Sequence, residues 1–320
     1  MIPTIAPVPG RELADDIGDR EPVADFRGLD IHILHGDDCP AVMREIGRLR
    51  ETAFREVGAG RNVDCDVDEL DFGPAAYRQL VVWDPTAHEI VALYRYQGGW
   101  MAREHGDAVL RTHNLFRYSP LFEREIKPHC IELGRSVVNR SARKRGLGLF
   151  AIWTGLYALL DEHPGVAYYF GNVSLFQSID PFARDLMVAF LGRHYAPPQP
   201  VLLAHPALRH EPAPGAVEAI PARVDDDPNA RIASLRELLA PHNETIPPIL
   251  QSYMGLSHEI WFGETARDAD FGDALEIGLV VPVEAIARST ALARFAPREK
   301  PTRSHGDAAV SAGSRAMRSG

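Results

Sequence analysis

The stretch Arg143-Lys-Arg-Gly146-Leu-Gly148 carries the strongest chemical signal in the chain. It follows a strand-like run, CIELGRSVV (130–138), and opens a helix-like run, LFAIWTGLYALL (149–160). Glycine lets backbone come close to a ligand, and first-turn amides point outward at the positive end of a helix. The result is an anion site suited to a phosphate or pyrophosphate, with Arg143, Lys144 and Arg145 adding charge. It is not a P-loop, because no Lys-Ser/Thr follows the second glycine, and GxGxxG is absent. A basic surface turn with helix-start glycines has the same spacing. Glu132 is the second signal. A carboxylate in an otherwise apolar strand is costly unless paired or used. Strict alternation sets Glu132, Gly134 and Ser136 on one face and Leu133 and Arg135 on the other. Structural ion pairs for Glu132 and Arg135 are the competing reading.

Other chemistries find less support. The acidic run Asp64, Asp66, Asp68, Glu69, Asp71 fails as a calcium loop: Glu69 stands where an EF-hand needs glycine, and Ala75 where it needs Glu. It reads as a solvated loop or as an attraction for an ammonium group. The 13 histidines form no HExxH, HxH or Cys/His cluster, so no metal is expected. Cys130 and His129 point to opposite faces of a strand, which argues against a thiol nucleophile. No GxSxG supports a serine hydrolase. Three widely spaced cysteines suggest a reducing, cytoplasmic setting.

A scaffold must hold these residues. LDIHILHG (29–36) reads as a strand. Asp37, Asp38 and Pro40 then start a helix that Gly58 stops. YRQLVVWD (77–84) and EIVALYRY (89–96) read as paired strands, with a polar stretch from Gln97 to about Pro128. VAYYFGNVS (166–174) and DALEIGLVVPV (273–283) are further strands. Asp180-Pro181 starts a helix, and RIASLRELL (231–239) and IPPILQSYM (246–254) look helical. The order predicts an α/β fold: a mixed sheet with helices on both faces. Residues 1–27 read as a mobile lead, 28–295 as one domain, 195–228 as a proline-rich excursion, and 296–320 as a disordered tail. The formal charge of −10 argues against a nucleic-acid partner. The apolar stretch Leu147–Leu160 is short of the roughly 20 residues that span a bilayer.

Together these stretches resemble the GNAT acyltransferase fold, in particular its hemolysin-like branch that makes lyso-ornithine lipid and related acyl amino acids. They are also similar to acyl-homoserine-lactone synthases. The resemblance is carried by LRETAFREVGAG (49–60), DVDELDF (66–72), LVVWD with IVALYRY (80–96), IELGRSVVN (131–139), YYFGNVS (168–174) and the segment 246–286. It implies a mixed, mostly antiparallel sheet with a splayed central strand pair. It implies a lipid-biosynthetic N-acyltransferase that moves a long-chain (3-hydroxy)acyl group from acyl-carrier protein to the α-amine of an amino acid such as ornithine. By motif, Arg50 and Phe54 cover the acceptor side, with Asp68 and Asp71 in the acidic loop, Arg95 on a strand, and Glu132 and Arg135 on the central strand. No permanent cofactor is implied. The intact glycine motif leaves acyl-coenzyme A open as an alternative donor.

An α-amine is mostly protonated at neutral pH, so a base is needed, and Glu132 is the candidate. Backbone N–H groups near Ser136 to Val138 would hold the oxyanion. The phosphate would rest on Arg143, Arg145, Gly146, Leu147 and Gly148. Phe150, Trp153, Phe170, Phe176 and Phe190 are available to line an acyl channel, and Tyr195 or Ser174 to protonate the leaving thiolate. The expected partners are acyl-carrier protein and the amino-acid acceptor. Peripheral contact with the inner membrane, helped by Arg298, Lys300, Arg303, Arg315 and Arg318, is a further expectation. The alternatives are acetyl transfer from coenzyme A, lactone-signal synthesis, and a non-catalytic carrier-binding or membrane-active protein.

Overall fold

A computed structural model describes residues 1–257 and 259–287; the tail expected at 296–320 lies outside them. The lead expected to be mobile instead carries α1 (Gly10–Ile17) and β1 (Ala24–Asp25). Leu13 and Ile17 lie one turn apart and are buried together against the next helix. Asp16 also accepts the Ala41 and Val42 amides, at 2.6 and 3.0 Å. These are otherwise orphan donors at a helix start, so a carboxylate there fastens the lead in place.

β2 (Asp30–Leu34) leads to α2 (Pro40–Glu56). Proline at the first helical position suits its fixed φ. The helix ends in a Schellman turn: Gly58 has φ 77°, and the Ala59 amide reaches Phe54 O at 2.8 Å. β3 (Arg78–Asp84) and β4 (Glu89–Gly98) form the expected hairpin. The polar stretch after them folds into short turns, including α3 (Ala102–His105), with β5 (Phe116–Tyr118) among them. Then follow β6 (Cys130–Val138), α4 (Gly148–Glu162), β7 (Tyr168–Leu175) and α5 (Pro181–His194), whose first turn is capped by Asp180. The proline-rich excursion is ordered into β8 (Leu202–Ala204), β9 (Arg209–His210) and α6 (Pro214–Ala219). α7 (Pro228–Leu239), α8 (Pro248–Met254), β10 (Trp261–Asp268), β11 (Ala274–Pro282) and α9 (Val283–Ala287) complete the described chain.

The main sheet has the order β1-β2-β3-β4-β6-β7-β11-β10-β9, and a small sheet pairs β5 with β8. Within the main sheet only β6 and β7 run parallel. Alternation splits the core between two faces. Along β3, Leu80 and Val82 pack with residues of α4, while Val81 and Trp83 pack with residues of α2. The mixed, mostly antiparallel sheet covered on both faces is the architecture expected from the sequence.

Two irregularities shape the centre of the sheet. β6 and β7 pair only from Cys130↔Tyr168 to Leu133↔Gly171 and then part. At that last rung a Cβ on Gly171 would stand 2.5 Å from Leu133 O, so glycine permits the contact. In the β4–β6 pairing, the register shifts between Leu93 and Arg95. Arg135 sits at the shift with φ 56°, so β6 carries a bulge.

Candidate active site in the strand gap

The gap between β6 and β7 opens into a cleft of ≈ 460 Å³. Residues 134–138 of β6 and Asn172, Val173 and Ser174 of β7 form its sides. Phe54 of α2, Tyr253 of α8, and Asp268, Phe271 and Glu276 from the last hairpin close it. Asn139 gives its amide to Val91 O of β4 at 2.9 Å. Amides alternate in direction along a strand, so that of Val138 points away from β4, toward the gap that β7 has left. This is the placement that oxyanion stabilisation requires.

The bulge corrects the facing pattern expected for β6. Strict alternation would separate Glu132 from Arg135, yet both line the cleft. Arg135 lies against the rings of Phe54 and Phe271, at 5.4 and 5.0 Å, and within 4.0 Å of Asp66 and Asp68. Burial pulls its guanidinium down to about 10, against the pull of Asp66.

Glu132 reaches the cleft but is heavily engaged. Its Oε1 accepts the Thr112 amide at 2.7 Å; its Oε2 accepts the Arg111 amide at 3.0 Å and the Tyr77 hydroxyl. Burial pushes its carboxyl above the ordinary range, against the Tyr77 and Thr112 hydrogen bonds. The acidic loop is not solvated at its end. Asp71 accepts from Arg50 at 2.9 Å and from Arg95 at 3.0 Å, and Arg95 also reaches Asp68 at 2.9 Å. Gln79 bridges Arg50 and Asp71. Burial raises the Asp71 carboxyl, but the two guanidiniums pull it well below the usual carboxylate range. Asp71 thus binds the protein's own cations, which leaves it unsuited to drawing in an acceptor ammonium group. The network instead ties α2, the acidic loop and β4 into one wall beside the cleft.

Three cleft residues escaped the sequence reading. Arg111, from the polar stretch, pairs with Asp268 of β10 at 2.7 Å. Glu276 of β11 stands opposite Ser174 of β7 in the sheet register. It accepts from the Ser174 hydroxyl at 2.8 and 2.9 Å and from the Asn172 amide group. Burial pushes its carboxyl up to about 7, against those two hydrogen bonds. An acidic residue amid the apolar run of 273–283 was the available signal.

The glycine motif lies beyond the cleft lining, past Val138 and Arg140. Its amides are partly committed: that of Arg143 to Glu89 Oε1 at 2.8 Å, and that of Leu147 to Lys144 O at 2.8 Å. Lys144 is paired with Asp84 at 3.1 Å. Arg143, Arg145 and Gly146 are exposed, and a Cβ on Gly146 would meet nothing within 4 Å. Gly148 serves packing instead: a Cβ there would press on Ala92 and Val138 at 3.1 Å. Of the aromatics expected in an acyl channel, Phe176 alone lines the cleft; Trp153, Phe170 and Phe190 are buried in the core. Phe150 is exposed. Tyr195 is buried beneath Arg231 and Ser174 is bound to Glu276, so neither stands out as an acid for the thiolate. Among the described residues no group of three or more His, Cys, Asp or Glu could hold a metal. None of their helices is long and apolar enough to cross a membrane.

A parted strand pair with an amide turned into the gap and carboxylates around it is an arrangement suited to acyl transfer. A profile of the acetyltransferase (GNAT) domain matches residues 49–153. A protein of Phocaeicola vulgatus named glycine N(alpha)-acyltransferase is 36% identical over 265 residues, covering 80% of this chain and 81% of that one. Its namesake in Bacteroides thetaiotaomicron is 36% identical over 264 residues, covering 80% and 78%. Among solved structures, the AHL synthase LasI aligns with a TM-score of 0.32 and 16% identity, over 46% of this chain and 72% of that one. The chain belongs to the GNAT family of acyltransferases, among its N-acyltransferases.

Proposed function

We propose that this enzyme moves an acyl group from a phosphopantetheine thioester to the α-amine of glycine. The strand gap carries the reading. Its Val138 amide faces the place where a thioester carbonyl would lie, and one such donor is worth 10²–10³-fold in rate. The name shared by both curated relatives favours glycine over ornithine, the acceptor suggested by the sequence resemblance. Arg111 and Arg135, two of the four arginines that line the cleft, suit the acceptor's carboxylate. Arg143, Arg145 and Gly146 lie exposed beyond Arg140 at the cleft's rim and suit the donor's phosphate. Acyl-carrier protein is the expected donor and acyl-coenzyme A the alternative. A long-chain product would be amphiphilic, which gives the reaction a place in lipid synthesis at the inner membrane face.

The test is direct. The purified protein is given an acyl thioester, on carrier protein or on coenzyme A, with glycine and ornithine in competition, and the products are weighed by mass spectrometry. N-acylglycine is expected as the main product. A preference for ornithine overturns the acceptor, and no amide from either thioester overturns the reading.

A further inference from the structure

Three carboxylates line the cleft. Asp268 is paired with Arg111 at 2.7 Å, and the surroundings of the other two, Glu132 and Glu276, differ in kind. Glu132 is met at both oxygens, and two of its three donors are main-chain amides, which can only donate. A proton arriving at Oε1 would have to displace the Thr112 amide. Glu276 is met by side chains. At Oε1 its partner is the Ser174 hydroxyl, which can turn and become the acceptor when the carboxyl gains a proton. Both Ser174 and Asn172 lie just past the point where β7 leaves β6, so Glu276 is presented at the open end of the gap.

Given N-acyl transfer in this cleft, we infer that Glu276 takes the proton from the acceptor amine, and that Glu132 is a positioning residue. Glu132 pins the segment bearing Arg111 and Thr112 to the central strand. Arg111 in turn holds Asp268 at the far wall. The acceptor arrives as an ammonium ion and gives one proton to the Glu276 carboxylate. The freed lone pair bonds to the thioester carbonyl carbon, and the C=O pair moves to oxygen, toward the Val138 amide. Its return breaks the C–S bond and expels the thiolate. The second N–H proton goes to the thiolate, and the proton on Glu276 leaves to solvent. Thioester and ammonium thus become amide, thiol and one proton.

The charged groups around Glu276 are Asp268 from β10, Arg111 from the segment before β5, and Glu132 and Arg135 from β6; β7 offers only the neutral Ser174 and Asn172. Asp268 disfavours ionisation of Glu276 and Arg111 favours it, with burial the larger influence.

The experiment is the pH profile of kcat/KM for glycine, measured with a long-chain acyl thioester. The wild type should gain activity with a midpoint near 7, below the amine's own titration at about 8 or higher. Glu276→Gln should lose 10²–10⁴-fold, the range of general-base catalysis, and lose that midpoint. Glu132→Gln should lose activity while keeping the midpoint. Should Glu276→Gln fail to fold, Ser174→Ala replaces it: losing a donor to the carboxylate should move the midpoint upward. A midpoint kept in Glu276→Gln, lost in Glu132→Gln, or unmoved in Ser174→Ala overturns the assignment. A wild type that forms no amide overturns N-acyl transfer itself, so the two failures are told apart.

Discussion

Asp71 shows how strongly one carboxylate can be committed. It is fully buried and shared between Arg50 and Arg95, which are themselves buried. Removing one partner of such a group strands charge in the interior, at a cost of about 3–5 kcal/mol. Asp71→Asn should lower the free energy of unfolding by that amount, as read from the urea midpoint. Glu276 acts on stability in the opposite sense. Its carboxyl is raised from 4.5 to about 7 on folding. The folded state therefore holds a proton that the unfolded chain releases as pH rises from 4.5 to 7. The native state is favoured below that window and loses roughly 3 kcal/mol on passing above it, at 1.36 kcal/mol per unit. Glu276→Gln should raise the melting temperature relative to wild type at pH 8 and not at pH 4. An equal shift at both values would refute this account. Glu132 and Arg135, set in an otherwise apolar strand, could be singled out in advance from their surroundings, and Arg50 through the family resemblance. Arg111 and Asp268 could not, because an ordinary charged residue in a polar stretch becomes special only when a distant strand brings its partner.

At the scale of elements, long periodic segments were legible. The helices at 40–56, 148–162 and 181–194 and the strands from β2 through β4, β6, β7 and β11 lie where spacing and caps predict them. β10 was missed because its register shifts between Phe262 and Thr265, which breaks the period of two. The lead helix α1 was missed because what anchors it, Asp16 accepting the first amides of α2 and Leu13 packing in the core, is tertiary. The site itself depends on where one strand pair stops. Gly171 lies on the last rung of β6–β7, with no room for a Cβ against Leu133 O. Gly171→Ala must push the strands apart one rung early, at about 1–3 kcal/mol of overpacking. A lower melting temperature with a larger loss in kcat than in KM is expected; unchanged kcat would show that the parting point does not set the reaction geometry.

Across the whole molecule, a formal charge of −10 surrounds a small cationic corner. Arg140 at the cleft's rim is largely exposed and pairs with Glu56 at 2.6 Å, and Arg143 and Arg145 stand exposed beyond it. An acidic carrier protein would meet repulsion over most of the surface and attraction there. Reversing both charges, Arg143→Glu with Arg145→Glu, should raise KM for a carrier-protein donor at least tenfold at low salt, and less for acyl-coenzyme A. Steady-state kinetics with both donors decides it; equal effects would point to the phosphate they share.

The strand order also has a consequence for synthesis. β11, near the end of the described chain, lies between β7 and β10. While the ribosome is still translating 176–273, β7 has a bare hydrogen-bonding edge and the pocket lacks a wall. Exposed edges of this kind invite pairing with other chains. Nascent polypeptides stalled in this interval would be clients for chaperones, and a copy cut short before Ala274 would be both inert and prone to aggregate.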